Sequence, residues 1–262
     1  MLRRLGFVGA LALVTAAAPA QTPNLGYDDT PMQPNGRWRI HDSRRPQPRV
    51  VTAGARPGDA PSDAIRLLGP DSDLSRWRMH DGSAITWKLA GGVLESAKGL
   101  IETTDRFSDF QLHVEWATPA PPKGDSQARG NSGVFLLGQF EVQVLDSYQN
   151  PTYADGQAAA LYGQSPPLVN ASRGPGQWQS YDIVFTAPRF EGSKLTRPAT
   201  GTVFHNGIVV HNATAFWGAT AHKRIGPYTP EMSKGPIALQ DHENPVHFRN
   251  IWIRTLTDYD AG

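Results

Sequence analysis

The 262-residue chain contains no cysteine. Disulfide bonds, a thiolate nucleophile, thiolate-ligated metal sites and a lipid-modified cysteine are therefore all excluded. A hydrophobic core has to supply the stability, and a chain of this length is long enough to build one.

An excess of charge of one sign is also missing. The chain has 25 Lys and Arg against 24 Asp and Glu, which gives a formal net charge of +1. Nucleic-acid-binding domains are strongly basic because they neutralise phosphates. We therefore expect no nucleic-acid partner.

The long apolar run at the N-terminus, residues 5–18, is shorter than the roughly 20 residues that a membrane-spanning helix needs. It follows Arg3 and Arg4 and ends at Ala18-Pro19-Ala20, the pattern of a secretory signal. The sequence predicts a signal peptide, residues 1–20, cleaved after Ala20, and no membrane span after cleavage. An exported protein without cysteine indicates a periplasmic or secreted bacterial protein.

The rest of the chain divides by composition. Residues 21–62 are rich in Pro and Gly and predict an extended arm or linker, and residues 63–262 predict one domain. Sustained helical periodicity is absent from this domain, which instead contains short runs with β-strand character. The predicted strands are 64–68, 85–89, 92–95, 100–103, 110–117, 133–137, 140–145, 179–186, 201–205, 208–211, 237–240 and 247–254.

This pattern predicts an all-β fold, a sandwich or barrel with little helix. Asn206-Gly207 lies between two apolar runs and predicts a tight β-hairpin. Two long connections, 148–173 and 216–234, are rich in aromatic residues, which favours ordered binding loops over disorder.

The strand 140–145 carries the strongest functional signal. Side chains alternate across a strand, so Glu141 and Gln143 lie on the face opposite to Phe140 and Val142. This arrangement predicts a polar cleft with Glu141 as a general acid or base, and with Asp146 or Asp155 nearby to tune it or to hold a metal ion. The alternative is a solvated glutamate on an edge strand.

A second polar run, 239–250, places Gln240 and His242 on one face of a strand end. His242 titrates near neutral pH or coordinates metal, although the spacing matches no known zinc motif. His247 is expected to be structural. In the loops, Trp217 is a candidate sugar platform and Lys223 a candidate ligand contact.

Asn131-Ser132-Gly133 is not part of a G-x-S-x-G elbow, so a nucleophilic serine is not favoured. Asn131 is expected instead to cap a turn or to bind substrate.

Four segments in this order closely resemble the 3-keto-disaccharide hydrolase family: 130–157 (GNSGVFLLGQFEVQVLDSYQNPTYADGQ), 160–185, 202–210 and 235–256 (GPIALQDHENPVHFRNIWIRTL). The resemblance covers roughly residues 64–256. It implies a concanavalin A-like jelly roll of two antiparallel sheets with a concave polar face. One departure is Glu243, which stands where the family usually has Gly, a residue that tolerates backbone angles unfavourable for Glu.

The resemblance also implies cleavage of 3-keto-glycosides or 3-keto-disaccharides by proton abstraction next to the C3 ketone, with a hydrolase or a lyase outcome. Glu141 and His242 are the implied proton-transfer pair, and a divalent metal ion is an alternative stabiliser of the enolate. The expected substrate-binding residues are Asn131, Gln143, Asp146, Tyr153, Asp155, Gln157, Trp217, Lys223, Gln240 and Arg249. The alternative function is a non-catalytic, lectin-like carbohydrate-binding module. An ordinary glucanase is disfavoured because its paired acidic residues are absent from strand 140–145, and the sequence gives no sign of an oligomeric state.

Overall fold

The computed structural model of the protein describes residues 25–257. The predicted signal peptide, residues 1–20, lies outside the described residues and stays a prediction. Within residues 25–257 there is no helix with the length and apolar character that a membrane span requires. The chain divides into two compact units, residues 1–49 and 50–262.

The described part of the first unit has little regular structure. It contains two isolated β-bridges, Tyr27 with Asp42 and Met32 with Arg39. The Asp42 carboxylate accepts hydrogen bonds from the side chain and backbone of Arg44, and these hold the pKa of Asp42 well below its usual range.

All named strands belong to the second unit. They are β1 (Ile65–Leu68), β2 (Trp77–Met79), β3 (Lys88–Ala90), β4 (Val93–Glu95), β5 (Leu100–Thr103), β6 (Phe110–Ala117), β7 (Ser132–Leu136), β8 (Phe140–Val144), β9 (Gln179–Thr186), β10 (Arg189–Glu191), β11 (Lys194–Arg197), β12 (Thr200–His205), β13 (Ile208–Ala215), β14 (Thr220–Ala221), β15 (Arg224–Ile225), β16 (Ala238–Gln240) and β17 (His247–Thr255). Three short 3₁₀ helices span Ser126–Ala128, Ala154–Gly156 and Pro230–Ser233. The prediction of a β-protein with little helix is confirmed.

Two antiparallel sheets form a jelly-roll sandwich. The larger has eight strands in the order β13-β12-β9-β6-β17-β4-β3, with β1 also paired to β17. The smaller has five strands in the order β2-β5-β16-β7-β8. β10 pairs with β11 and β14 with β15 in separate hairpins.

The core lies between the two sheets because alternate residues of the strands are apolar. Phe140 from the smaller sheet packs on Phe185 from the larger sheet, with ring centroids 5.7 Å apart. The Tyr181 hydroxyl, also from the larger sheet, donates to the backbone oxygen of Gln143 at 2.6 Å. This direct contact fixes the position of β8.

The predicted hairpin at Asn206-Gly207 is confirmed. His205 pairs with Ile208, and both turn residues have positive φ, 53° at Asn206 and 81° at Gly207. A two-residue turn with both φ angles positive matches the right-handed twist of the flanking strands.

The larger unit begins at Val50, earlier than the predicted domain start at residue 63. The backbone oxygen of Gly58 accepts hydrogen bonds from Asn250 Nδ2 and Trp252 Nε1, each at 2.9 Å. Residues 50–62 therefore contact β17 of the larger sheet rather than forming a free linker.

Candidate active site

The outer face of the smaller sheet carries the polar residues of β8. Phe140, Val142 and Val144 are in the core, so Glu141 and Gln143 point away from it. On the neighbouring strands β7 and β16, Phe135 pairs with Glu141 and Ala238 pairs with Phe135. The alternation of β8 thus places a carboxyl group and an amide on the floor of a depression.

A pocket of about 530 Å³ opens over these two residues, and we call it the Glu141 pocket. Its floor comes from strands of the smaller sheet and its walls from the loops that follow β8, β13 and β16. It is lined by Gln127, Asn131, Phe135, Glu141, Gln143, Tyr153, Tyr162, Thr220, Ala221, His222, Gln240 and His242. Both long connections that the sequence predicts to be binding loops contribute to its walls.

Glu141 is 5% exposed at the base of this pocket. Burial raises the pKa of its carboxyl group to about 8, because a charged carboxylate loses its hydration there. Gly133 lies directly opposite on β7, and a Cβ atom at this position would lie 2.5 Å from Glu141 Oε1. The absence of a side chain at Gly133 makes room for the carboxyl group.

The Gln143 carboxamide lies between Glu141 and Gln127. With its amide nitrogen turned toward the carboxyl group, it donates to Glu141 Oε1 at 3.0 Å and to the Ser132 backbone oxygen at 2.9 Å. With the nitrogen turned away, it donates to Gln127 Oε1 at 3.0 Å. Gln143 is therefore the nearest polar group able to respond to the charge of Glu141.

Three side chains from the two loops form a hydrogen-bonded chain beside Glu141. The hydroxyls of Tyr153 and Tyr162 lie 3.1 Å apart, and the Tyr162 hydroxyl lies 3.1 Å from His222 Nδ1. Burial and then the Tyr153 hydroxyl raise the pKa of Tyr162 well above its usual range, and the Glu141 charge adds to this effect. Tyr162 thus remains protonated at neutral pH.

A second cavity of about 480 Å³ adjoins the first, and we call it the side pocket. Tyr153, Tyr162 and His222 line both pockets. The other residues of the side pocket are Asp155, Gly163, Lys223, Arg224 and Ile225.

The structure brings six of the predicted site residues together in the Glu141 pocket. They are Asn131, Glu141, Gln143, Tyr153, Gln240 and His242. Asp155 and Lys223 lie in the side pocket instead. The remaining four predicted residues, Asp146, Gln157, Trp217 and Arg249, line neither pocket.

Asp146 is removed from the Glu141 pocket by an ion pair. Its buried carboxylate accepts hydrogen bonds from Arg129 Nε at 2.8 Å and Nη2 at 3.0 Å. Both residues line a third cavity, which we call the Pro119 cavity because its other wall begins at Pro119. Asp146 is thus placed to hold the loop rather than to tune Glu141.

Arg249 lies on the opposite side of the molecule. The chain crosses from the smaller sheet to the larger one between β16 and β17, so the predicted 239–250 block is divided between two faces. Arg249 donates to Glu115 Oε2 at 2.6 Å and lies 3.9 Å from the Trp178 ring centroid. The expectation that it acts beside His242 is corrected.

Trp217 and Gln157 also fall outside both pockets. Trp217 has a 60% exposed residue surface, and its backbone N–H donates to Gln164 Oε1 at 2.6 Å. Gln157 is half-buried, and its Oε1 has no hydrogen-bond partner among the described residues.

Sequence reasoning missed several pocket residues, namely Gln127, Phe135, Tyr162, Thr220 and His222. Tyr162 and His222 belong to the two connections predicted to bind a ligand, which was the available signal. Nothing in the sequence shows that these two side chains meet, since they are 60 residues apart.

The backbone at Glu243 has φ of 62°, in the left-handed region that favours glycine. The substitution noted in the sequence therefore retains a glycine-like turn. Glu243 lines the Pro119 cavity together with His242, outside the Glu141 pocket.

A metal site does not fit the side chains present. Among residues 25–257 there is no group of three or more His, Asp or Glu side chains close enough to hold a metal ion. The chemistry considered below therefore relies on the side chains of the pocket.

Comparisons with known proteins agree with this geometry. A family model described as a 3-keto-alpha-glucoside-1,2-lyase-like domain matches residues 63–254. A Bacteroides thetaiotaomicron protein named 3-keto-disaccharide hydrolase is 26% identical over 236 residues, covering 73% of this chain and 74% of that protein.

Crystal structures of Parabacteroides distasonis proteins are also similar. One, described as a "putative glycosyl hydrolase", is 44% identical with a TM-score of 0.76, covering 87% of this chain and all of that one. Another with the same description is 17% identical with a TM-score of 0.57, covering 79% of this chain and all of that one, and supports the fold alone.

Proposed function

The chain belongs to the 3-keto-alpha-glucoside-1,2-lyase-like family and is a carbohydrate-active, glycosidase-like protein; on this premise we propose that it cleaves 3-keto-glycosides with Glu141 as the base. The observation that carries the proposal is the buried carboxyl group of Glu141, with its pKa raised to about 8, on the floor of a pocket.

The proposed reaction begins at C2 of the sugar. A ketone at C3 acidifies the C2 proton, so a carboxylate with raised proton affinity is better matched to remove it than an ordinary one. The electron pair of the C2–H bond forms an enolate with the C3 oxygen. When the ketone re-forms, a C1–C2 double bond forms and the C1–O bond breaks. Addition of water across this double bond completes a hydrolysis, and its omission leaves a lyase product.

The pocket has donors for the enolate oxygen. Gln143, Gln240 and His242 line it with amide and imidazole groups, which stabilise a developing negative charge when they are fixed in a site with little water. We assign to His242 the part of proton partner to Glu141.

The composition of the pocket favours proton abstraction over ordinary glycoside hydrolysis. Retaining and inverting glycosidases generally use two carboxyl groups flanking the scissile bond. Among the described residues that line the Glu141 pocket, Glu141 is the one carboxyl group. A single base beside several neutral donors matches enolate chemistry.

The decisive variant is Glu141→Gln, which keeps the shape of the side chain and removes the base. We expect kcat on a 3-keto-disaccharide to fall by about 10²–10⁴, the usual contribution of a general base. The matched control is Glu191→Gln, at an exposed glutamate of β10, which should behave as the wild type. Unchanged turnover by Glu141→Gln would remove Glu141 from the mechanism, and sugar binding without any cleavage by the wild type would favour the lectin-like alternative.

The pH profile gives an independent readout. Glu141 accepts a proton only when ionised, so kcat/KM should rise with pH and level off above about 8, where the free carboxyl group is deprotonated. A profile that is already flat above pH 5 would contradict the assignment of this carboxyl group as the base.

A further inference from the structure

The junction between the Glu141 pocket and the side pocket is built from three groups that can move or hold a proton. Tyr153, Tyr162 and His222 line both cavities and are linked through hydroxyl and imidazole groups at 3.1 Å spacings. A glycoside consists of a sugar and a leaving group joined through one oxygen. With the sugar over Glu141, that oxygen lies where the pocket opens into the space that receives the leaving group.

The side pocket is the better candidate for this space. The Pro119 cavity meets the Glu141 pocket through one shared residue, the exposed His242, whereas the side pocket shares three. Ile225, with 47% of its surface exposed, and the ring of Tyr153, 44% exposed, offer apolar surface for the flat face of a sugar or an aromatic group. Lys223 and Arg224 add donors for hydroxyls.

Tyr162 is held firmly at the junction. Its backbone N–H donates to the backbone oxygen of Glu141 at 3.2 Å, so the residue is tied to the strand that carries the base. Its hydroxyl has Tyr153 on one side and His222 Nδ1 on the other. The acid and the base of the reaction would then be fixed on one structural element.

Resting on the proposed cleavage of 3-keto-glycosides, we propose that the side pocket receives the leaving group and that the Tyr162 hydroxyl protonates the departing oxygen. His222 and Tyr153 are positioning residues that orient this hydroxyl.

The step balances as an elimination. As the ketone re-forms and the C1–C2 double bond appears, the electron pair of the C1–O bond passes to the leaving oxygen, which takes the proton of Tyr162 Oη. The tyrosinate recovers a proton from the solvent-exposed His222 or from water. Glu141 releases the C2 proton when water adds across the double bond or when the product leaves.

The test varies the leaving group. A 4-nitrophenyl group departs as a stable phenolate and needs little protonation, whereas the alcohol of a disaccharide needs an acid. We expect Tyr162→Phe to lower kcat on a 3-keto-disaccharide by about 10²–10⁴ and to leave kcat on a 4-nitrophenyl 3-keto-glucoside within a few fold. Tyr148→Phe is the control, since this partly exposed tyrosine lies outside both pockets.

Two further variants separate proton donation from structural support. Tyr153→Phe removes only the hydroxyl that contacts Tyr162, so it should give the same leaving-group dependence in weaker form. His222→Asn keeps a polar group near the Nδ1 position and should retain more disaccharide turnover than His222→Ala. Both variants should unfold at the wild-type temperature.

The outcomes are distinct for the two proposals. If the wild type cleaves both substrates and Tyr162→Phe slows them equally, or slows neither, the assignment of Tyr162 as the acid is overturned while the base chemistry of Glu141 stands. If the wild type cleaves neither substrate, both the proposed function and this inference fail.

Discussion

At the scale of single residues, the buried carboxyl group of Glu141 links stability to pH. Its pKa is about 8 in the folded protein against 4.5 for the exposed group. Between these values the folded state holds a proton that the unfolded state has released, so the free energy of unfolding falls as pH rises. The loss is about 1.4 kcal/mol per pH unit, with an upper limit of roughly 5 kcal/mol.

We therefore expect Glu141→Gln to be more stable than the wild type at pH 9 and to lose this advantage toward pH 5. Urea unfolding of both proteins at pH 5, 7 and 9 measures the difference, with Glu191→Gln as control. A difference that is constant across pH would contradict the raised pKa.

A second buried group acts with the same sign and has to be separated from Glu141. Burial lowers the pKa of His113, but Asp182 and Glu115 outweigh this effect and raise it to about 9. The stabilisation from His113 is fully present below pH 6.5 and is lost as pH rises through 9. Because His113 is unchanged in Glu141→Gln, comparison of the two proteins isolates Glu141.

The alternation rule predicted some site residues and failed for others for a definite reason. Glu141 and Gln143 follow from the two-residue period of one strand, and His242 and Gln240 from a polar run after another. Arg249 lies only seven positions beyond His242, yet the chain changes sheets between them. Periodicity describes which side of a strand a residue occupies, not which sheet the strand joins.

At the scale of elements, Gln164 connects the two long loops. Its Nε2 donates to the backbone oxygen of Gly218 at 3.0 Å, and its Oε1 accepts from the backbone N–H of Trp217 at 2.6 Å. The side chain is buried, so both backbone groups depend on it. The same connection holds Thr220 and His222 near Tyr162.

Gln164→Leu should therefore weaken both the fold and the site. Two backbone groups lose their partners, which costs about 2–4 kcal/mol in the free energy of unfolding. The loops then shift, and kcat/KM should fall by about 10- to 100-fold, because small displacements of catalytic groups are costly. Chemical denaturation and steady-state kinetics measure the two effects.

Gln177→Leu, at an exposed glutamine of a different loop, serves as the control. If Gln164→Leu retained full activity, the two loops would be positioned by other contacts and the clamp assigned to Gln164 would be wrong.

The length of an element decides how well its sequence reveals it. The eight-residue strands β6 and β9 were predicted to the residue, since several alternations repeat within each. β14 and β15 have two residues each and were missed, because no period fits into so short a run. Between residues 85 and 89 the strand begins later than predicted, at Lys88.

At the scale of the whole molecule, the two outer faces of the sandwich have different contents. The smaller sheet carries the Glu141 pocket. The larger sheet carries a polar network in which Glu115 accepts hydrogen bonds from Arg249 and Asn250. Residues 50–62 cover part of this second face through Gly58, which contacts Asn250 and Trp252.

Two shortened chains test the division of the molecule. A chain beginning at Val50 keeps every residue of the Glu141 pocket and should retain activity. A chain beginning at Asp63 loses the Gly58 contacts and uncovers Trp252, which should make it less stable than the Val50 chain by roughly 3 kcal/mol. Thermal unfolding and kinetics of the pair give the comparison.

Equal unfolding temperatures for the two chains would show that residues 50–62 contribute nothing to the fold. The sequence placed this segment in a linker because Pro and Gly dominate it. Its contacts involve backbone oxygen atoms such as that of Gly58, which composition does not reveal.

One property of β8 limits how this protein can change. Phe140 and Val142 flank Glu141 on the same short strand and belong to the hydrocarbon interior. Adding or removing one residue there would send the carboxyl group inward and a phenyl ring outward, so folding and chemistry would be lost together. The long loops tolerate such length changes. Acceptance of new sugars is therefore expected to evolve by loop exchange, and a laboratory library that varies loop length alone would keep the base while sampling new leaving groups.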